Sequence, residues 1–466
     1  MTMARGIACV FMTLLAAGAA RGAVDCSVDF GAETGTFRRI NGINGGPQTN
    51  GRAIDRNVSE FRDLHVASVR LHDMPLFNTG LRLVDVPMVF PVWNKAADPK
   101  DERNYFFDAT DDYLRILRDQ CGVTQIVYRL GASIEHSHPR RYFAKCPDDF
   151  ARYAEICAGI VRHYTKAAWA NGFDAGVTHW EIWNEPNNVP EMWDKDYDTF
   201  LRMYVTVARR LRQEFPDIRI GGPGNGGSAP DDRLERLVAA CRKANVPLDF
   251  YSEHGYAGTP EAYGRRIVQC RRVLDEAGLK SSEIHFNEWH YFPCKWSDLK
   301  DAKTARKMYL SPDGINGIAA AAHLVRALTL WQDVPVDMVN FYSTVGKGWG
   351  VYDAYGVKRP TYFALRQFGE FLCNVDVRVK TASSDGKVTV LAGRSKDGSR
   401  REILVSALKV KAGEPIRIKF GGGSLPAVVK VSALCGEEPT TCAVPLADGC
   451  LTLTPAGHSG TWRIVL

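Results

Sequence analysis

The sequence predicts an α/β fold, a closed (β/α)8 barrel followed by a small accessory antiparallel β-sandwich. Between residues 39 and 371, eight short β-branched or aromatic runs alternate with longer segments of helical period. After Phe371 the pattern changes to short alternating runs separated by turn signals such as Asp385-Gly386 and Gly421-Gly422-Gly423. Eight strand-then-helix repeats fit a closed barrel better than an open doubly wound sheet, and no GxGxxG motif follows the first strand.

The barrel is assigned to residues 24–371 and the sandwich to residues 372–466. The segment Val24 to Phe37 is a candidate to pair with the sandwich, because the two ends of a chain often meet. In such a barrel the active site lies at the carboxyl ends of the strands. Two long aromatic loops, Asp73 to Asp108 and His290 to Asp313, are expected to wall it. The predicted strands are Arg39 to Ile43, Ser68 to His72, Gln125 to Leu130, Thr178 to Trp183, Ile218 to Gly221, Phe250 to His254, Ile284 to Glu288 and Met338 to Tyr342.

The first 23 residues are predicted to be a signal peptide. Arg5 supplies a positive charge, Ile7 to Ala16 form an apolar core, and small residues at 17–20 form a cleavage site. The alternative is a short buried N-terminal helix, because the apolar run is too short to span a bilayer. No later stretch resembles a transmembrane helix. We therefore expect the mature protein to be secreted or periplasmic, without membrane insertion.

The composition is that of an ordinary globular protein. Of the 466 residues, 45% are hydrophobic and 24% are charged, and the formal net charge is +6. The basic residues are scattered along the chain, so no nucleic-acid partner is expected. The oligomeric state stays open.

Cysteine usage limits the disulfides that the chain can form. Twelve cysteines are present, and loss of Cys9 with the signal peptide leaves an odd number that cannot all pair. The cluster of Cys435, Cys442 and Cys450 allows a bridge in an oxidising compartment, with its connectivity open. No Cys/His spacing indicates zinc, and His136-Ser137-His138 lacks a completing ligand set, so no metal is expected.

The strongest local signal ends the fourth predicted strand. The run from His179 to Asn188 contains Asn184, Glu185 and Pro186, which place a carboxamide and a carboxyl group at the barrel mouth. Pro186 stops the strand, so the two polar side chains should project into the cleft. The alternative is a glutamate that merely caps the next helix.

A second glutamate, Glu288, ends the seventh predicted strand. Strands four and seven face each other across an eight-stranded barrel, so Glu185 and Glu288 should meet at its mouth. Glycoside hydrolysis uses such a pair, one group protonating the leaving oxygen while the other attacks the anomeric carbon. The retaining route needs the two carboxyl groups about 5 Å apart.

These two glutamate motifs resemble those of glycoside hydrolase clan A. Within the clan, the chain is most similar to family 39, the β-xylosidase and α-L-iduronidase family. The resemblance covers residues 38–370 and extends to the stretches Ser68 to Asp73, Asp249 to Tyr256 and Tyr352 to Pro360.

The resemblance implies a role for each glutamate. Glu185 is the expected acid/base and Glu288 the expected nucleophile, with Asn184 hydrogen-bonding the 2-hydroxyl of the sugar. Arg70 and Tyr256 should lie near Glu288, one keeping it ionised and the other orienting it. For Arg70 the alternative is a structural ion pair inside the barrel.

Further residues at strand ends are candidates for substrate binding. His72 and His254 end the second and sixth strands, and each is equally explained as a core histidine. Aromatic residues can stack on sugar faces, although most barrel aromatics serve packing. The remaining candidates are Glu135 and His136 after the third strand, where the sequence departs from the β-xylosidases, and Trp183, Trp289 and Trp349.

The predicted activity is hydrolysis of O-glycosidic bonds with retention, by double displacement, on a polysaccharide, oligosaccharide or glycoside. No cofactor is required. A transglycosidase that uses the same intermediate is one alternative, and a non-catalytic carbohydrate-binding barrel is another. The sugar, its linkage and exo or endo action stay open.

Overall fold

The computed structural model describes residues 22–47, 57–75, 82–134, 144–165, 169–227, 231–344, 348–353 and 355–466. Short 3-10 helices span Glu102–Asn104, Trp296–Lys300 and Trp331–Asp333, and a π-helical turn spans Ile116–Gln120. The strands are β1 (Val24–Thr36), β2 (Gly42–Asn44), β3 (Val69–Leu71), β4 (Met74–Pro75), β5 (Arg82–Leu83), β6 (Ile126–Leu130), β7 (Val177–Ile182), β8 (Arg219–Asn225), β9 (Phe250–Ala257), β10 (Glu283–Tyr291), β11 (Met338–Phe341), β12 (Val377–Ser383), β13 (Val388–Arg394), β14 (Arg401–Leu408), β15 (Ile416–Gly421), β16 (Val428–Leu434), β17 (Thr440–Pro445), β18 (Cys450–Leu453) and β19 (Ser459–Val465). The α-helices are α1 (Val58–Arg62), α2 (Val86–Val89), α3 (Asp108–Arg115), α4 (Phe150–Tyr164), α5 (Tyr197–Glu214), α6 (Arg233–Ala244), α7 (Pro260–Glu276), α8 (Ala302–Leu310), α9 (Ile318–Leu330) and α10 (Pro360–Asn374).

Eight parallel strands close into a barrel in the order β10-β11-β2-β3-β6-β7-β8-β9. Each corresponds to one of the eight strands predicted from the sequence, so the barrel prediction is confirmed. The long loop predicted after the second strand contains additional structure, because β4 and β5 pair there as a small antiparallel ribbon.

Strand alternation decides which side chains enter the barrel. On β7, His179 and Glu181 point inward, whereas Trp180 and Ile182 pack outward against the helices. Parallel pairing brings the carboxyl ends of the strands to one mouth, where Glu288 on β10 lies beside His254 on β9. The register of these two strands shifts between His285 and Glu288, which marks an irregularity just before the strand end.

The C-terminal strands form one nine-stranded sheet instead of two separate hydrogen-bonded layers. Its order is β17-β16-β19-β14-β13-β12-β1-β15-β18, and all its pairs are antiparallel except β1 with β15. Strand β1 therefore lies inside this sheet, between β12 and β15. Strands near both sheet ends contribute to a single apolar cluster, so the sheet curls around its own core.

The same sheet packs against the barrel through β14. Alternate residues of β14, such as Ile403 and Val405, enter the core of the sheet, whereas Leu404 joins the apolar cluster of the barrel helices. Ser406 continues this second face, and its hydroxyl donates to the backbone oxygen of Ala322 on α9 at 2.6 Å. Both faces of β14 are thus buried.

The eleven cysteines within the described ranges are all free thiols. Cys442 is exposed, Cys435 and Cys450 are partly exposed, and the structure has no bridge among these three. No helix in the described ranges has the length and apolar character to cross a membrane.

We predict that Leu404→Ala lowers the free energy of unfolding by about 2–5 kcal/mol, because it opens a cavity between β14 and the barrel helices. Chemical denaturation followed by circular dichroism measures the change. Leu310→Ala is the matched control, since Leu310 is 71% exposed and should cost less than about 0.5 kcal/mol. Equal losses in the two variants would show that the contact between sheet and barrel contributes nothing.

Candidate active site

A cleft of about 800 Å³ opens at the carboxyl end of the barrel strands. Glu185 and Glu288 both line it. A second cavity of about 430 Å³ lies beside Trp183, and its lining includes neither glutamate. The other residues at the first cleft include His72, Asp73, Ile134, Asn184, Asn187, Asn188, Tyr256, Phe292, Lys295, Trp296, Tyr342 and Trp349.

The backbone turns sharply where β7 ends. Trp183 and Glu185 adopt left-handed conformations with φ of 74° and 46°, which cost non-glycine residues about 1–3 kcal/mol each. The backbone N–H of Glu185 donates to the carbonyl oxygens of Pro223 and Gly224 at 3.2 and 3.1 Å, which ties this turn to the end of β8. The turn aims the Glu185 side chain into the cleft instead of along the strand.

The two carboxylates lie close together. One oxygen of Glu185, one oxygen of Glu288 and a ring nitrogen of His254 are all within 4.8 Å of one another. Nδ1 of His254 is 2.8 Å from Oε1 of Glu185 and 3.7 Å from Oε2 of Glu288. Asn188 donates to the other oxygen of Glu185 at 3.0 Å. His254 therefore sits between the two acids, beneath the cleft.

Glu288 is held by two donors from different strands. The hydroxyl of Tyr256 donates to Oε1 at 2.5 Å, and Nη1 of Arg70 donates to Oε2 at 3.1 Å. Nε2 of His72 lies 3.8 Å from the same Oε2. Because both oxygens have donors, the carboxylate has one defined orientation.

Arg70 connects Glu288 to the interior of the barrel. Its guanidinium is fully buried and donates to Glu181 at 2.7 Å, to Asn44 at 3.1 Å and to Oδ1 of Asn184 at 2.5 Å. A buried charge of this kind is stable only when it is paired and hydrogen-bonded. Arg70 therefore forms a structural ion pair inside the barrel and is also a neighbour of Glu288.

The pKa values of the two cleft glutamates move in opposite directions. Burial raises the pKa of Glu288, and the nearby charge of Glu185 adds to the rise, against the opposing effects of His254, Arg70 and Tyr256. Burial also tends to raise the pKa of Glu185, but hydrogen bonding to His254 outweighs it and holds that pKa below its ordinary value. Two acids this close titrate as a pair, not independently.

The structure brings most of the sequence-predicted residues to this cleft. Asn184, His72, Tyr256 and Trp349 line it. His254 is buried, so it contacts the glutamates instead of facing open solvent. The predicted contacts of Glu135 and His136 lie outside the described residues.

The sequence prediction for Trp289 as a substrate-binding residue is wrong. Its side chain is fully buried and packs against Trp331 and Phe341 at ring separations of 4.7 and 5.1 Å. It follows Glu288 on β10, so alternation turns it away from the cleft. Trp183 is buried as well, and its ring nitrogen donates to the backbone oxygen of Met192.

An aromatic wall borders one side of the cleft. Trp296 is 56% exposed, and its ring centroid lies 5.5 Å from that of Tyr256 and 5.9 Å from that of Trp349. Phe292 stacks on Trp296 at 4.3 Å. The long loop after the seventh barrel strand therefore borders the cleft, as the sequence predicted.

Sequence reasoning missed Asp73, Tyr342 and Asn188. The hydroxyl of Tyr342 donates to Asp73 at 2.9 Å, and both side chains line the cleft. Burial opposes ionisation of Asp73, but His72 and hydrogen bonds from Ser133 and Tyr342 lower its pKa to about 2. Their positions in the sequence could have indicated them. Asp73 directly follows the second predicted strand and Tyr342 ends the eighth, so both lie at the same barrel mouth.

Two groups of side chains in the described ranges have atoms close enough to share a metal ion. One consists of Glu185, His254 and Glu288 at the cleft. The other consists of His179, Glu283 and His285 at the opposite end of the barrel.

Comparison with known proteins identifies the family. The sequence profile of glycosyl hydrolases family 39 matches residues 94–400, which contain both cleft glutamates. The chain belongs to this family.

Curated relatives agree with the assignment to family 39. A β-xylosidase of Geobacillus stearothermophilus is 29% identical over 283 residues, covering 55% of this chain and 52% of that protein. A β-xylosidase of Caldicellulosiruptor saccharolyticus is 21% identical over 249 residues, covering 47% and 46% of the two chains. The chain thus spans about half the length of these relatives.

Solved structures match along nearly the whole chain. A glucosidase from Croceicoccus marinus has a TM-score of 0.73 at 21% identity, covering 95% of this chain and 98% of that chain. A monomeric β-xylosidase from Caulobacter crescentus CB15 has a TM-score of 0.66 at 15% identity, covering 95% and 99%. At these identities the likeness shows the shared fold, including the accessory sheet.

We predict that Tyr256→Phe raises the pKa of Glu288, because it removes a hydrogen bond that stabilises the ionised carboxylate. A ¹³C NMR titration of labelled glutamate carboxyls measures it, with Glu288→Gln assigning the signal. Tyr342→Phe is the matched control, since its hydroxyl donates to Asp73 and not to Glu288. An unchanged or lowered pKa in Tyr256→Phe would contradict the role given to this contact.

Proposed function

We propose that this family 39 protein hydrolyses O-glycosidic bonds with retention of configuration. The observation that supports the proposal best is the short separation of Glu185 and Glu288, whose nearest oxygens lie within 4.8 Å at the barrel mouth. This short oxygen–oxygen separation fits a retaining pair, whose carboxyl groups lie about 5–5.5 Å apart.

In the first step, Glu288 attacks the anomeric carbon while Glu185 donates its proton to the glycosidic oxygen. The bond between the anomeric carbon and that oxygen breaks, and an ester between Glu288 and the sugar forms. Tyr256 and Arg70 keep the attacking carboxylate in place, so that its oxygen needs little reorientation.

In the second step, Glu185 takes a proton from water as the water oxygen attacks the anomeric carbon. The ester breaks, the Glu288 carboxylate is regenerated, and Glu185 is protonated again. The sugar leaves with the configuration it had in the substrate, because the anomeric carbon has been inverted twice.

The first step requires the proton on Glu185 and the negative charge on Glu288. Tyr256 and Arg70 donate hydrogen bonds to the ionised form of Glu288, which favours this arrangement.

The substrate class proposed is a β-linked glycoside or oligosaccharide, because two of the curated relatives are named β-xylosidases. Asn184 projects into the cleft beside the acid and is proposed to bind the 2-hydroxyl, and Trp349 with Trp296 to contact a sugar face. Export is part of the proposal, on the charge and apolar pattern of residues 1–23.

We predict that Glu185→Ala and Glu288→Ala respond differently to azide. An activated aryl glycoside leaves without protonation, so Glu185→Ala still forms the ester and then stalls without its general base. Azide needs no base and should restore turnover, giving a β-glycosyl azide from a β-glycoside. On poor leaving groups this variant should lose about 10²–10⁴-fold in rate.

Glu288→Ala cannot form the ester, so turnover should fall for every substrate, and azide should give a product of inverted configuration or none. Glu438→Ala is a control for the substitution itself, because Glu438 is exposed in the turn between β16 and β17. The products are identified by NMR. If the two azide products are exchanged between the variants, the roles of Glu185 and Glu288 are reversed.

A further inference from the structure

At the end of the barrel opposite the cleft, three side chains point at one position. His179 lies near the start of β7, and Glu283 and His285 lie at the start of β10. Nε2 of each histidine is 2.9 Å from the same oxygen, Oε2 of Glu283. All three atoms lie within 4.8 Å of one another. None of these three side chains takes part in the proposed hydrolysis.

The hydrogen bonds of Thr178 allow the tautomer of His179 that a metal ion would need. The Thr178 hydroxyl donates its single proton to the backbone oxygen of Ile126 at 3.1 Å. Its oxygen lies 2.9 Å from Nδ1 of His179 and can accept a hydrogen bond from it. A neutral ring with its proton on Nδ1 leaves the lone pair of Nε2 available as a ligand.

At the 2.9 Å between each histidine Nε2 and Oε2 of Glu283, either a proton on the ring nitrogen or a metal ion can join the two atoms. Two imidazole nitrogens and a carboxylate oxygen are a ligand set found in zinc sites, where a bound histidine also gives its other ring N–H to an acceptor. Thr178 is that acceptor for His179.

We propose that His179, Glu283 and His285 form a binding site for a divalent transition-metal ion of the zinc class. With metal–ligand distances of about 2.0–2.2 Å, the ligand atoms need to lie about 3.3 Å apart, so the two 2.9 Å contacts must widen by a few tenths of an ångström. Water completes the coordination from the solvent side, where the Glu283 side chain is 23% exposed.

Arg219 is the cation that already contacts this group, through the other oxygen of Glu283. Its side chain is 55% exposed, so it can move into solvent when a metal ion binds. The two histidine side chains are 5% exposed or less and stay fixed. Because β7 and β10 are not neighbours in the barrel, a shared ion would cross-link strands that backbone hydrogen bonds do not join. The metal would therefore stabilise the fold and take no part in hydrolysis.

The test uses the full chain after treatment with a chelator. Isothermal titration with ZnCl₂ should show one ion per chain, and the melting temperature should rise with zinc concentration. Co²⁺ in the same site should give visible ligand-field absorption. Glu283→Gln and His285→Gln should each lose the cobalt spectrum and the zinc-dependent rise in melting temperature.

Controls exclude other ligands. His323→Gln replaces a buried histidine outside the group and should bind zinc normally, provided that it folds. Glu288→Gln should also bind normally, because Glu288 belongs to the group at the cleft. If the folded protein binds no zinc, a proton holds the three side chains together and the proposal is overturned. Binding that survives Glu283→Gln and His285→Gln, or that disappears in Glu288→Gln, overturns it as well.

Discussion

The buried guanidinium of Arg70 is the interaction on which the barrel mouth depends. It is removed from water inside the barrel, and it is stable there because Glu181 and Glu288 share its charge while Asn44 and Asn184 accept from it. These partners come from different strands, so a single group fixes their relative positions. The contact that neutralises the buried charge of Arg70 therefore also positions Glu288. A change in the position of Glu288 would disturb the core around Arg70.

Strain and charge are concentrated at the same end of the molecule. Trp183 and Glu185 hold left-handed backbone conformations, and the carboxyl groups of Glu185 and Glu288 lie close together in a buried site. The rest of the fold must supply the stability that these features cost. Both faces of β14 are buried, and the accessory sheet covers helices α9 and α10. The sheet therefore contributes to the stability of the barrel.

The sequence predicted the barrel and the glutamate pair because both depend on local pattern. Strand length, apolar periodicity and Pro186 after Glu185 are visible in a few residues, and barrel closure then brings the strand ends together. Trp289 was assigned to the cleft by its position at a strand end, whereas alternation after Glu288 turns its side chain outward against the helices. The partnership of Asp73 with Tyr342 was missed because it joins residues 269 positions apart.

The position of β1 has a consequence for how the chain assembles. Asp25 hydrogen-bonds to Ser384, 359 residues later, and β1 also pairs with β15 beyond it. Closing a loop of this length costs about 5 kcal/mol of chain entropy, which must be met before these contacts stabilise anything. Strand β1 therefore stays unpaired until β12 and β15 have been synthesised. Its polar outward face, with Asp25, Ser27 and Asp29 alternating with buried residues, helps to keep that waiting edge from pairing with another chain.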